Sequence, residues 1–220
     1  MNRRIARTLL PTLALAGGFA LFAPAPAPAQ ETQVAQETQV GPETLSCLPE
    51  NSRMPREGRG SPLDSVTFRV AGHAAKICYG RPSARGRTMI GGGHVPFGEI
   101  WRTGANEPTR LHTPIALSVA GIPVPAGTYA LYTVPGEKEW EIIVNRAYEQ
   151  WGHERFYTKE VEAREVGRGK VPSEALTEPI ETFTIRVEQV PEEGEGEPNL
   201  YWILEWEKTR VRIPVSVAQS

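Results

Sequence analysis

The chain has no excess of basic residues. Its 220 residues include 24 Lys and Arg against 26 Asp and Glu, which gives a formal net charge of −2 at pH 7. No stripe of basic residues interleaved with aromatic residues runs along it. Proteins that bind nucleic acid concentrate Lys and Arg on one face to neutralise phosphates. The composition therefore excludes nucleic acid as an expected partner.

Motifs for metals, phosphates and activated nucleophiles are also missing. The four histidines (His73, His94, His112 and His153) show no His-x-x-x-His spacing. The triglycine at 91–93 lacks the Lys-Ser/Thr pair and helix start of a phosphate loop, and Ser83 lacks a Gly-x-Ser-x-Gly elbow. We therefore expect no cofactor and no metal, with a zinc site assembled across separate strands as the minor alternative.

No apolar run is long enough for an ordinary membrane span, which needs about 20 residues. The run at 9–22 follows a basic start with three arginines and ends in APAPAPAQ, where Ala27-Pro28-Ala29 fits a cleavage site. This order is the pattern of a secretory signal peptide. We expect a signal peptide at 1–29, a mature chain from Gln30 and a secreted or periplasmic protein. An uncleaved N-terminal anchor is the alternative.

Residues 30–61 have little apolar periodicity. The pentapeptide QETQV occurs there twice, and the residues after it are rich in Pro, Glu, Arg, Gly and Ser. Such a segment buries too little apolar surface to offset the entropy of ordering. The composition predicts a disordered or linker tail at 30–61.

Cysteine is scarce, with Cys47 and Cys78 as the only two. Exported chains with an even cysteine count usually pair them. We therefore predict one disulfide, which would join the tail to the first strands. The alternative is two unpaired thiols, with Cys78 buried in a strand.

From residue 62 onward, apolar and polar residues alternate in short segments. These lie at 65–70, 75–79, 115–119, 128–134, 140–145, 183–187, 200–206 and 211–217, with Gly, Pro and Asn between them. This period of two is typical of half-buried strands, and frequent turns favour an antiparallel β-sandwich or barrel. We predict a single, mostly all-β domain at 62–220, with one or two short helices at 146–159 and 173–176. The inward positions predict this core: Leu117, Val119, Tyr129, Leu131, Ile142, Val144, Phe183, Ile185, Trp202, Leu204, Ile213 and Val215.

Residues 81–107, RPSARGRTMIGGGHVPFGEIWRTGANE, concentrate arginine and glycine. Guanidinium groups present forked donors to anions, and glycine allows the backbone to approach a ligand closely. We expect these loops to bind a small polar or anionic ligand, or an envelope component. The candidate ligand-binding residues are Arg81, Ser83, Arg87, Arg102, Asn106 and Glu107. An exposed Trp151 would also suit stacking against a sugar.

Two other interpretations of the same segment stay open, and no catalytic residue is assigned. In the first, the segment is architecture: Arg102 pairs with Glu107 or caps backbone carbonyls, and Asn106 fixes a turn. In the second, the protein is an extracytoplasmic hydrolase. That enzyme would use Glu107 or Glu99 as general base, with Arg102 or His94 as electrostatic partner.

Five separated motifs occur in the order RPSARGR, GGxHVPFGEIWRTGANEPT, PAGTYALYTVPG, W-x-I-I-V-N and LxWExTxVxIPV. Together, over about residues 66–217, they resemble domain-of-unknown-function family 2911, a group of exported bacterial proteins. The resemblance implies a mostly β extracytoplasmic domain without an assigned activity. His94 stands where that pattern leads us to expect an apolar residue, which argues against a general catalytic role for it.

Overall fold

The structure of the protein is a computed structural model, which describes residues 46–48, 52–190 and 200–218. The predicted signal peptide, the start of the mature chain and the duplicated pentapeptide lie outside the described residues. Within the described ranges, no helix is long and apolar enough to cross a membrane.

Strands account for most of the described chain. The nine strands are β1 (Leu63–Val70), β2 (His73–Gly80), β3 (Thr109–Thr113), β4 (Leu117–Val119), β5 (Ile122–Val124), β6 (Gly127–Val134), β7 (Glu139–Asn145), β8 (Glu165–Gln189) and β9 (Leu200–Val217). One 3-10 turn (Glu154–Phe156) and one short helix, α1 (Lys159–Glu162), lie between β7 and β8.

The nine strands form one open sheet in the order β1-β2-β3-β6-β7-β8-β9-β4-β5. Every pairing between these strands is antiparallel. The predicted class, a mostly antiparallel β domain with very little helix, is confirmed. The sandwich-like layering arises within one continuous sheet, not from two separate sheets.

The long strand β8 makes this layering possible. Its first part pairs with β7 and its second part with β9, and the register shifts between Ala175 and Ile180 and again before Thr184. Such irregularities bend a strand and increase its twist. The bend brings the β9 end of the sheet over β1, where the rings of Phe68 and Trp202 meet edge to face at 5.8 Å.

The core lies between these layers, and the core prediction is confirmed because all twelve predicted residues are buried. Aromatic rings dominate one end of it. Trp101 contacts Trp140, Phe183 and Trp206 with ring centroids 6.0, 5.1 and 5.8 Å away. Edge-to-face and stacked aromatic pairs add stability beyond the area that they bury.

Two local predictions were wrong, and two strands were not predicted. Residues 173–176 belong to β8, and most of 146–159 is not helical, since only Glu154–Phe156 and the start of α1 turn there. Residues Ile122–Val124, which lie between two of the predicted strands, form the further strand β5. Strand β3 was missed because all five of its residues are buried, so its sequence TRLHT shows no alternation of apolar and polar residues.

The predicted disulfide is present. Cys47 and Cys78 are bonded with their Cα atoms 5.3 Å apart, and both residues are buried. The bond fastens the segment before β1 to β2. For a loop of this length, the chain-entropy contribution to the free energy of unfolding is about 3–4 kcal/mol.

Candidate functional site

The motif WRTGANE begins at Trp101, whose backbone is joined to β6. Trp101 N donates to Thr133 O at 2.7 Å, and Thr133 N donates back to Trp101 O at 2.9 Å. The indole Nε1 of Trp101 donates to Gly104 O at 3.1 Å, which closes the turn that follows. The buried ring and these bonds therefore fix where the residues after Trp101 lie.

Two glycines allow this turn to pack against the end of β2. A Cβ added at Gly80 would lie 2.1 Å from Ala105 O, and one added at Gly104 would lie 3.0 Å from Gly80 O. Any larger residue at Gly80 would push the two backbones apart. The glycine in the motif is thus used for contact between chain segments.

Glu107 is buried and forms a two-pronged ion pair with Arg59. Arg59 Nη1 lies 2.6 Å from Oε2 and Arg59 Nη2 lies 2.9 Å from Oε1, while the Ser52 hydroxyl donates a further hydrogen bond to Oε1. Burial alone would raise the pKa of Glu107. The hydrogen bonds from Arg59 and Ser52 outweigh burial and hold that pKa below its ordinary value. Glu107 is therefore an ionised carboxylate that attaches segment 52–59 to the motif.

Asn106 supports the same attachment. Its φ of 67° lies in the left-handed region, which asparagine adopts more readily than most residues. Its Nδ2 donates to Ser61 O at 3.3 Å. On the other side, a Cβ at Gly152 would lie 2.4 Å from Asn106 O, so the 149–156 segment packs directly on this turn.

Arg102 pairs with Glu154 and not with Glu107. Its Nη1 lies 2.9 Å from both carboxylate oxygens of Glu154, and its side chain is 22% exposed. Its Nε is buried without a hydrogen-bond partner among the described residues. The interpretation in which Arg102 and Glu107 pair is therefore wrong.

The other three predicted ligand contacts bond elsewhere. Arg81 pairs with Asp64 at 3.2 Å and donates to Thr184 Oγ1 at 3.1 Å on β8. Ser83 Oγ lies 2.8 Å from Thr182 Oγ1. Arg87 donates to the carbonyl oxygens of Ser83 and Ala84, its own turn. Arg81 and Ser83 thus join the 81–87 segment to β8, whereas the hydrogen bonds of Arg102, Asn106 and Glu107 go to 52–61 and 154.

His94 and Glu99, considered above for a hydrolase, are both exposed on the loop between Gly91 and Trp101. Among the described residues, no hydrogen bond or ion pair joins either side chain to Arg102 or Glu107. The structure therefore does not assemble the four residues into one bonded constellation.

A cleft of about 280 Å³ opens beside Glu107, between segment 52–53 and segment 149–156. We call it the Trp151 cleft. Its lining residues are Ser52, Arg53, Glu107, Glu149, Gln150, Trp151 and Phe156. The Arg53 guanidinium carbon lies 6.0 Å from the centre of the Trp151 ring and 5.0 Å from that of Phe156. Both rings are half-buried, and Arg53 is exposed.

A hydrogen bond to the sheet positions one wall of the Trp151 cleft. Gln150 donates a hydrogen bond from its amide to the Tyr132 hydroxyl, and Tyr132 is buried in a small second core with Ala130 and Ile143. Burial raises the pKa of Tyr132 to about 12, so its hydroxyl is neutral at physiological pH. The rigid sheet thus positions the polar wall of the cleft.

Sequence reasoning singled out Glu107 and Trp151, which line the Trp151 cleft, but did not single out Arg53 or Phe156. Arg53 lies in a segment whose composition predicts a tail. Nothing in the local sequence indicates that Glu107, 54 positions later, holds this segment in place through Arg59. For Phe156, the signal available was its proximity to Trp151 in QWGHERF.

The family described as "Protein of unknown function (DUF2911)" matches residues 61–215, a span that runs from the start of β1 almost to the end of β9. No curated protein and no solved structure matches the chain. The matched span includes all five sequence motifs nearly in full and covers more than half of the chain. The protein therefore belongs to the DUF2911 family, whose function is unassigned.

Proposed function

We propose that the protein is an extracytoplasmic binding domain for a small anionic ligand that also carries a ring or other apolar body. The ligand would lie in the Trp151 cleft. Its anionic group would face Arg53, and its body would lie against Trp151 and Phe156. The 81–107 motif would support this cleft, with Glu107 at its edge and with Arg102 and Asn106 holding the neighbouring segments.

The observation that carries the proposal is the set of contacts that the Arg53 side chain makes and does not make. Its guanidinium group stands over two aromatic rings, yet within the described residues its side chain donates no hydrogen bond and forms no ion pair. A guanidinium group presents five N–H donors and suits a carboxylate or phosphate group. The rings orient these donors, so an incoming anion meets a partly ordered side chain.

The composition of the cleft supports a ligand with two chemical faces. Half-buried Trp151 and Phe156 offer apolar surface, while Ser52 and Gln150 offer polar atoms. Small-molecule sites commonly combine aromatic walls with a few fixed polar groups. A sugar acid or an aromatic carboxylate has this combination of properties.

The lowered pKa and the hydrogen bonds of Glu107 favour a binding protein over a hydrolase. A general base works best when its pKa is near the working pH. Glu107 has a lowered pKa and accepts hydrogen bonds from Arg59 and Ser52. Its contacts suit a structural carboxylate, and the hydrolase alternative has no comparable support.

Export of the protein is part of the proposal. It rests on the signal-peptide pattern at 1–29 and on the Cys47–Cys78 bond. Disulfides persist chiefly in oxidising compartments outside the cytoplasm.

Titration with glucuronate and glucose tests the ligand class, because the two sugars differ in the carboxylate. Calorimetry of the mature protein should show binding of glucuronate and at least tenfold weaker binding of glucose, since one charged hydrogen bond contributes about 1.5–3 kcal/mol. Arg53→Gln should remove this preference, and Trp151→Ala should weaken binding of both sugars.

Arg56→Gln is the matched control, because Arg56 is another exposed arginine of the same segment. It should bind like the wild type. If a wider set of carboxylates gives no binding, or if Arg53→Gln binds as tightly as the wild type, the cleft is not an anion site.

A further inference from the structure

A second group of ionisable side chains lies on the outer face of β2 and β3. Lys76 stands directly opposite His112, and Cys78 stands directly opposite Arg110. The exposed fractions of Lys76, Arg110 and His112 are only 8%, 5% and 7%. Three basic residues that are more than nine-tenths buried lie side by side on this face, and basic side chains are seldom buried to this extent.

Within this basic cluster, His112 has a ring nitrogen without a hydrogen-bond partner among the described residues. Its Nδ1 lies 2.9 Å from Thr128 Oγ1, but its Nε2 is buried without a hydrogen-bond partner in the described part of the chain. Burial, reinforced by the positive charges of Arg110 and Lys76, lowers the pKa of His112 to about 4. The imidazole is therefore neutral at physiological pH, although it lies beside two cations.

The disulfide determines what Arg110 contacts. Arg110 Nη2 donates to the carbonyl oxygen of Cys47, the one hydrogen bond that this side chain donates within the described ranges. Cys47 is bonded to Cys78, the residue opposite Arg110 in the sheet. Glu107, Tyr148 and Glu149 all act electrostatically on Arg110, and the carboxylate oxygens of Glu107 are also bonded to Arg59 and Ser52.

We propose that Lys76, Arg110 and His112 form an oxyanion-binding site that the Cys47–Cys78 bond closes and that reduction by a dithiol opens. In the oxidised protein, the Cys47 carbonyl oxygen occupies the position of an anion oxygen. In the reduced protein, Cys47 is free to leave. An oxyanion then accepts hydrogen bonds from Arg110 and Lys76, and His112 takes up a proton and donates from Nε2.

The redox step is an ordinary thiol–disulfide exchange. A thiolate of the dithiol attacks one cysteine sulfur, the S–S bond breaks, and the other cysteine leaves as a thiolate that takes up a proton. The second thiol of the reductant then attacks the mixed disulfide. The reductant ends as a cyclic disulfide, and Cys47 and Cys78 end as two thiols.

Inorganic phosphate is the probe for this site. The oxidised protein should not bind it at millimolar concentration, whereas the dithiothreitol-reduced protein and the Cys47→Ser/Cys78→Ser double variant should. In the double variant, NMR of the imidazole should show the pKa of His112 rising from about 4 towards its ordinary value of 6.5 when phosphate binds. Arg110→Gln in the same background should weaken binding at least tenfold, while Arg69→Gln, which changes an exposed arginine of β1, should not.

Several results would overturn the proposal. One is equal phosphate binding by the oxidised and reduced forms, and another is binding that Arg110→Gln leaves unchanged, which indicates an adventitious ion. A third is a double variant that keeps the circular dichroism of the β domain but binds no phosphate. A fourth is a double variant that is unfolded and that phosphate does not refold, because the site would then not exist without the disulfide. None of these results depends on the Trp151 cleft.

Discussion

Replacing Glu107 by Gln tests whether the motif is fastened by a buried ion pair. The substitution keeps the shape of the side chain but removes its charge. The Arg59 and Glu107 side chains are only 1% and 6% exposed, and two hydrogen bonds of 2.6 and 2.9 Å join them. Glu107→Gln would leave a buried guanidinium group without its counter-charge. Loss of one partner from such a pair typically lowers the free energy of unfolding by about 3–5 kcal/mol.

The Arg102–Glu154 pair supplies the comparison. Its side chains are 22% and 32% exposed, so water screens the charges and competes for them. Glu154→Gln should therefore lower the free energy of unfolding by less than about 1 kcal/mol. Arg102→Ala should have a similarly small effect. The two pairs lie in the same region, which makes burial the main difference between them.

Urea unfolding, followed by tryptophan fluorescence, measures both variants under identical conditions. The pH dependence gives a second check. Because the pKa of Glu107 is lowered on folding, its contribution is fully present above the ordinary value of 4.5 and is lost as the pH falls through the folded-state value. The difference between wild type and Glu107→Gln should shrink in that acid range. If Glu107→Gln and Glu154→Gln lose the same stability at neutral pH, the reasoning about burial is refuted.

Five further predictions concern the fold and the export of the protein. Leu204 is 2% exposed in the core, so Leu204→Ala should lower the free energy of unfolding by about 2–5 kcal/mol in the same urea assay. Reducing the Cys47–Cys78 bond should lower the free energy of unfolding by about 3–4 kcal/mol. The intact mass of exported protein should show the loss of residues 1–29 and of two hydrogens. Gly152→Ala places a Cβ 2.4 Å from Asn106 O and should destabilise the domain by about 1–3 kcal/mol; Gly93→Ala, where a Cβ meets nothing within 4 Å, should not. Since the pKa of His112 is lowered to about 4, wild type should lose roughly 3 kcal/mol more than His112→Gln as the pH falls from 6.5 to 4.

The sequence was sufficient for most of the fold because the inner face of the sheet follows a period of two. Phe183 and Ile185, for example, alternate with Thr184 and Arg186 and lie in the core. The same reasoning fails where a strand is covered on both faces. In β3, Leu111 packs into the main core, while Arg110 and His112 are buried on the opposite face, so the strand does not alternate in hydrophobicity.

The candidate site could be predicted only in part, because its contacts join distant segments. The residue composition of 81–107 made Glu107 a candidate, but its partner Arg59 lies 48 positions away in a segment predicted to be a tail. From the sequence alone, Arg102 could likewise be paired with the nearby Glu107, although the fold brings Glu154 to it instead. Forked donors indicate that a carboxylate will be found nearby; the fold decides which one.

The position of β9 has a consequence for the order in which the chain folds. This strand lies between β8 and β4, and its last residue, Val217, pairs with Leu117, a hundred positions earlier. The β4–β5 pair therefore has no strand to join on the β4 side until nearly the whole domain is available. Pairings between such distant residues form slowly, since a long loop must close first. If the proposed export moves the chain across a membrane unfolded, this late closure would delay stable folding until the final strand has been translocated.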